Sequence, residues 1–121
     1  SISHSIEKLF LAWAPNDIGI DIEQKFRSFR AKEIVERFFS EFEKEELKKI
    51  DDVTFQQEVL KYWLIKESAY KWQNPKENTD FFSWEFIKKS QKAINKKKNL
   101  TVNTFIYSYE NSYLGIAYNS K

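Results

Sequence analysis

GIDIE at residues 19–23 and WLIKESAYK at residues 63–71 are the two stretches that decide how this chain folds. The first alternates apolar and acidic residues, which predicts a strand with Asp21 and Glu23 on one face. The second has the apolar spacing of a helix, on which Glu67 borders the apolar edge. Bringing the strand and the helix face to face would gather these acidic side chains around one spot.

A cluster of three carboxylates suits a hard divalent cation. Asp21, Glu23 and Glu67 offer oxygen ligands, and Lys71 shares the helix face of Glu67 because the two are four residues apart. A magnesium ion holding a phosphate or diphosphate ester fits this set, which predicts phosphoryl-type chemistry. The simpler alternatives are an exposed acidic face on an edge strand and an ordinary helical ion pair between Glu67 and Lys71.

The pattern along the rest of the chain predicts an α+β fold, with a small antiparallel sheet packed on a long helix. Strands are expected at residues 9–14, 18–23, 81–87, 102–109 and 113–118, and helices at 31–39, 41–50 and 54–72. Ser40 and Glu43 have the spacing of a capping box, as do Thr54 and Gln57 at the start of the long helix. Residues 88–99 are polar and predict a short helix or an exposed turn.

The composition bounds the size and the class of the protein. With 121 residues, 41% apolar and 17% aromatic, the chain supports one domain with one core. A net charge of +2 excludes polyanion binding by bulk electrostatics. The absence of cysteine excludes disulfides and thiolate metal sites. No segment has the apolar length of a membrane span or the pattern of a signal peptide, so we expect a soluble, cytoplasmic protein.

The two stretches together resemble the paired signature of the 4′-phosphopantetheinyl transferases, a Gly-Ile-Asp-Ile-Glu strand followed by Trp-x-x-Lys-Glu-Ser-x-x-Lys. SISHS at residues 1–5 is similar to a segment of the larger, surfactin-synthetase-activating type. The resemblance covers residues 2–71 and implies that family's fold. It also implies an enzyme with holo-acyl-carrier-protein synthase activity. Such an enzyme transfers the 4′-phosphopantetheine group of coenzyme A to a serine of an apo acyl or peptidyl carrier protein, in fatty acid, polyketide or nonribosomal peptide biosynthesis.

The same resemblance assigns roles to individual residues. It implies that Asp21, Glu23 and Glu67 bind Mg²⁺, that Glu67 is also the candidate base, and that Lys71 stabilises the charge on the leaving group. Contacts with coenzyme A are assigned to a set of hydroxyl, imidazole and ammonium side chains, namely Ser3, His4, Lys66 and Lys71. Manganese in place of magnesium fits the same carboxylates.

A basic run lies between the acidic strand and the first predicted helix. Its members are Lys25, Arg27, Arg30 and Lys32, with Phe26 and Phe29 interleaved. One interpretation is a solvated loop whose aromatic side chains enter the core. The other is a docking surface for an acidic carrier protein. Because no base-reading motif is present, we do not expect nucleic acid binding.

The chain carries one acidic strand and one Lys-Glu-Ser helix, whereas the larger transferases resemble two similar halves packed together. It also contains no methionine. We therefore expect residues 1–121 to form a single domain that is the C-terminal part of a longer protein or that self-associates. The rival function is a non-catalytic carrier-binding or structural relative, which would have little reason to keep the acidic residues and Lys71 together.

Overall fold

One sheet and one long helix position the site. The computed structural model describes residues 18–73 and 83–119. The helices are α1 (Ala31–Phe38), α2 (Glu41–Lys48) and α3 (Asp52–Trp72), and the strands are β1 (Ile18–Gln24), β2 (Trp84–Ile87), β3 (Lys92–Asn95), β4 (Leu100–Tyr109) and β5 (Ser112–Tyr118). The five strands form an antiparallel sheet in the order β1-β5-β4-β3-β2. The predicted α+β fold is confirmed; the strand expected at residues 9–14 lies outside the described residues.

Two glycines let the sheet lie directly against α3. A Cβ atom on Gly19 of β1 would collide with the Ser68 carbonyl oxygen and the Trp72 backbone nitrogen. On the neighbouring strand, a Cβ on Gly115 would lie 2.7 Å from both Leu64 Cγ and Ser68 Oγ. The Ser68 hydroxyl donates to the Leu64 carbonyl oxygen at 2.8 Å, so this side chain folds back onto its own helix. The backbone of β1 therefore approaches the helix more closely than side chains would normally allow.

The helix starts are set by local side-chain caps. Ser40 and Glu43 form the predicted capping box of α2, with Glu43 N donating to Ser40 Oγ at 3.2 Å and Ser40 N to Glu43 Oε1 at 3.0 Å. The predicted cap at Thr54 is wrong. Asp51 caps α3 instead, because its carboxylate accepts from Thr54 N at 3.0 Å, and the helix begins at Asp52.

The core lies between α3 and the sheet. Tyr62 of α3 is its aromatic centre, stacked on Phe39 at 6.0 Å between ring centroids and edge-on to Phe86 at 5.0 Å. Other buried members come from the helix and the sheet, namely Val59, Ile65, Ala69, Trp84, Val102 and Ala117. Burial of these side chains is the main favourable term that holds the sheet on the helix.

The polar segment at residues 88–99 contains a strand that the sequence pattern did not predict. Lys88–Ser90 form a short 3₁₀ turn, and Gln91, with φ of 53°, ends it in the left-handed region. β3 follows and pairs with both β2 and β4. Its buried residues are Ala93 and Asn95, a small one and a polar one. Neither favours strands strongly, so the period of two was hidden.

One ion pair is completely buried in this core. Lys66 Nζ lies 2.7 Å from Glu43 Oε1, and both side chains are 0% exposed. The other Glu43 oxygen accepts from Phe86 N at 2.8 Å, and Lys66 also donates to the Trp84 carbonyl oxygen. Burial lowers the pKa of Lys66, and the Glu43 carboxylate opposes that shift. The pair joins α2, α3 and β2 through charge-assisted hydrogen bonds.

Gly19→Ala should destabilise the protein strongly, because its Cβ would meet backbone atoms of α3 that cannot move independently. We expect the free energy of unfolding to fall by about 3 kcal/mol or more, the upper end for overpacking. Gly115→Ala is the matched variant, since its Cβ meets the movable side chains of Leu64 and Ser68. Urea unfolding should show the smaller loss for Gly115→Ala; equal losses would contradict a backbone clash at Gly19.

Lys66→Met should lower the free energy of unfolding by about 3–5 kcal/mol, because it leaves the Glu43 carboxylate buried without a countercharge. Adding Glu43→Gln to this variant removes the stranded charge and should restore part of the loss. A double-mutant cycle in urea measures the coupling. Additive losses would mean that the two side chains do not interact in solution.

Candidate functional site

The close approach of β1 to α3 brings the strand's acidic residues to the helix. Gly19 contacts α3, and Asp21 and Glu23 share its face because side chains alternate along a strand. The Lys71 ammonium lies 2.9 Å from Asp21 Oδ1. The structure thus brings together a pair of residues that the sequence predicted to meet across two elements.

Glu67 lies within the electrostatic reach of both acidic residues of β1. Burial raises the pKa of Glu67, and the charge of Asp21 raises it further. Lys71 lowers it, Glu23 adds to the rise, and a hydrogen bond with the Trp63 side chain lowers it again. Burial also raises the pKa of Asp21, against the hydrogen bond and charge of Lys71. Both carboxyl groups therefore hold protons more tightly than exposed ones.

Glu23 has a partner that the sequence analysis missed. Arg27 Nη1 donates to both carboxylate oxygens of Glu23, at 3.0 Å and 2.9 Å. The chain turns immediately after β1, with Arg27 N donating to the Gln24 carbonyl oxygen at 3.2 Å, and this turn carries the guanidinium back over the strand. The signal in the sequence was the four-residue spacing, but that spacing predicts contact on a helix and not across a turn.

The residue types fit a magnesium ion. Asp21, Glu23 and Glu67 supply hard oxygen ligands, and burial raises the pKa of Asp21 and of Glu67, an effect that a bound cation would oppose. Within residues 18–73 and 83–119, however, no three His, Cys, Asp or Glu side chains are gathered closely enough to hold a metal. Lys71 and Arg27 pair instead with two of the three carboxylates. The metal assignment remains a prediction.

The remaining predicted site residues fall elsewhere. Ser3 and His4 lie outside the described residues. Lys66 is fully buried against Glu43, a position that does not fit the predicted contact with coenzyme A. Successive residues of a helix point in directions about 100° apart, so Glu67 points away from Lys66. Glu67 faces β1, since the charges of Asp21 and Glu23 act on its pKa. Lys66 therefore belongs to the core.

The basic run has one aromatic side chain packed against the core and another exposed to solvent. Phe29 packs against the core, whereas Phe26 is 79% exposed. The Lys25 ammonium lies 5.1 Å from the centroid of the Tyr113 ring, and Arg30 pairs with a neighbouring glutamate at 3.4 Å. Residues 25–30, which we call the basic loop, thus present an exposed aromatic side chain among cations.

One known protein family matches the part of the chain that contains β1 and α3. A family model described as the 4′-phosphopantetheinyl transferase superfamily matches residues 17–117, a span that includes β1, α3 and the β4–β5 hairpin. No curated protein matches the chain. Among the described residues, no helix is long and apolar enough to cross a membrane.

Replacing Glu67 with glutamine should make stability depend differently on pH. The folded-state pKa of Glu67 is raised, so the stability linked to its neutral form is present below the unfolded pKa and is lost as pH rises through the folded value. Glutamine cannot ionise. As pH rises from about 4 to about 8, wild type should lose this stability and the variant should not. The free energy of unfolding of the variant should therefore increase relative to that of wild type over this range.

Urea unfolding at both pH values, with a chelator present, measures this difference. Glu58→Gln is the control, because the Glu58 carboxylate is held by Lys61 and Lys88 and its loss removes two ion pairs. That variant should not gain stability at the higher pH. If the difference in the free energy of unfolding between Glu67→Gln and wild type were the same at both pH values, the interpretation that folding raises the pKa of Glu67 would be wrong.

Proposed function

The chain belongs to the 4′-phosphopantetheinyl transferase superfamily, and on that premise we propose that it transfers the 4′-phosphopantetheine group of coenzyme A to a serine of an apo acyl or peptidyl carrier protein. The observation that carries the proposal is the contact of Asp21 on β1 with Lys71 on α3, beside Glu67, whose pKa the charges of Asp21 and Glu23 help to raise. Carboxylates beside a lysine suit the handling of a diphosphate ester.

In the proposed reaction the carrier serine oxygen attacks the β-phosphorus of coenzyme A. A new phosphorus–oxygen bond forms to serine, and the bond to adenosine 3′,5′-bisphosphate breaks. Glu67 takes the serine proton, directly or through a water molecule. Its raised pKa makes it a stronger base than an exposed carboxylate. The products are the holo carrier protein and adenosine 3′,5′-bisphosphate.

Lys71 is proposed to bind the diphosphate and to stabilise the charge on the leaving group. Its side chain is 38% exposed, so its ammonium can be reached from solution while it contacts Asp21. Asp21, Glu23 and Glu67 would hold magnesium, which when bound supplies a Lewis acid for the phosphoryl oxygens. The basic loop is proposed to receive the carrier, since its exposed Phe26 and its cations complement an acidic surface.

An exposed aromatic surface supports the proposal that residues 1–121 either pack against a preceding half of a longer protein or self-associate. The sheet face turned away from α3 presents four aromatic side chains between 42% and 50% exposed, namely Phe105, Tyr107, Tyr109 and Tyr118. On β4 these aromatics stand at every second position, as one face of a strand requires. An exposed aromatic patch of this kind is typical of a protein interface.

Glu67→Gln should reduce transfer by about 10²–10⁴-fold, the range for the loss of a general base. The assay mixes protein, coenzyme A, Mg²⁺ and an apo carrier, and weighs the carrier by mass spectrometry. Glu58→Gln makes the same charge change on the same helix without touching the site and should stay active. Circular dichroism checks the fold of both.

Two results would contradict this proposal. Near-normal transfer by Glu67→Gln would exclude Glu67 as the base. A wild-type protein that binds coenzyme A and the carrier, and yet leaves the carrier mass unchanged, would favour the non-catalytic relative.

A further inference from the structure

Two lysine side chains from different elements lie against one aromatic ring. The ammonium of Lys25, in the basic loop, is 5.1 Å from the centroid of the Tyr113 ring, and that of Lys61, on α3, is 5.3 Å from the same centroid. The two ammonium groups are therefore at most about 10 Å apart, and the Debye length is also about 10 Å at roughly 0.1 M salt. An anion that approaches this ring is attracted by both charges.

Tyr113 is also tied to the basic loop through its hydroxyl group. The hydroxyl donates to Gln57 Oε1 at 2.9 Å, and the side-chain amide nitrogen of Gln57 donates to the Lys25 carbonyl oxygen. Lys25 N in turn donates to the Asn111 carbonyl oxygen at 2.8 Å, just before β5. The ring thus holds the Lys25 ammonium, while the hydroxyl, through Gln57, holds the Lys25 backbone.

The ring holds these two charges without cancelling them. An aromatic ring attracts an ammonium group through its quadrupole and carries no net charge. Glu58, the carboxylate partner of Lys61, lies 3.4 Å from Lys61 Nζ but 2.7 Å from Lys88 Nζ, so two cations share it. The Lys61 side chain is 31% exposed. Positive charge therefore remains at this surface for an external anion.

We propose that Tyr113 is a positioning residue, which holds the ammonium groups of Lys25 and Lys61 together as one docking site for carboxylate side chains of the acidic carrier protein. This inference rests on the proposed function, in which the carrier approaches the basic loop. It extends the carrier surface from that loop to β5 and α3. An acidic residue in place of Tyr113 would also gather the two lysines, but its charge would cancel part of theirs.

The test measures the affinity of the protein for an apo acyl and an apo peptidyl carrier protein, without coenzyme A, by the fluorescence anisotropy of the labelled carrier. Lys61→Gln should weaken binding about two- to fivefold at low salt, in keeping with the loss of an exposed ion pair. The loss should shrink at higher salt, because salt screens exposed charges. Lys96→Gln is the matched control and should bind like wild type, since it removes the same charge from the turn after β3, where its partner is Glu85.

Variants of Tyr113 separate positioning from a general effect on the fold. Tyr113→Leu removes the ring and should also weaken carrier binding about two- to fivefold, whereas Tyr113→Phe keeps the ring and should retain most of the affinity. In a protein that already carries Lys25→Gln and Lys61→Gln, Tyr113→Leu should have no further effect, because the ring acts through these lysines. The affinity for coenzyme A, measured by calorimetry, should be the same in all these variants.

The outcomes distinguish the inference from the proposed function. Suppose that wild type binds and modifies a carrier. Carrier binding by Tyr113→Leu equal to that of wild type, or a loss that persists in the background without Lys25 and Lys61, would then overturn the positioning role and leave the proposed function intact. A wild-type protein that neither binds nor modifies either carrier would overturn both.

Discussion

The contact between Gly19 and the backbone of α3 is the constraint on which the site depends. Side chains normally separate a helix from the sheet on which it packs, but no Cβ stands between Gly19 and the Ser68 carbonyl oxygen. Asp21 lies two residues further along the same face of β1, and this approach brings it to 2.9 Å from Lys71. Any larger residue at position 19 would lift the strand and open that pair.

The same approach concentrates negative charge that the fold only partly balances. Burial raises the pKa of both Asp21 and Glu67, although Lys71 lies beside them. A fold selected for stability alone would place such carboxylates in water, where they cost nothing. Carboxylates held in an unfavourable electrostatic environment are typical of functional sites, because a bound ligand can balance the negative charge that the surrounding side chains leave unbalanced.

The sequence predicted those features that depend on local pattern. The alternation at residues 19–23 and the capping box of Ser40 and Glu43 both specify their structure within a few residues, and both were found. β3 was missed because its pairing partners, and not its composition, make it a strand. The contact of Arg27 with Glu23 was missed for a related reason: it depends on the turn that follows β1.

Lys66 and Glu67 show how one short motif can serve both the fold and the site. The two are adjacent in sequence, and helical geometry turns them about 100° apart. Lys66 enters the core and pairs with Glu43, whereas Glu67 faces β1. The buried pair on one side and the Gly19 contact at Ser68 on another fix the rotation of α3 about its own axis. With that rotation fixed, Lys71 contacts Asp21 of the acidic strand, and Glu67 lies within the electrostatic reach of the same strand.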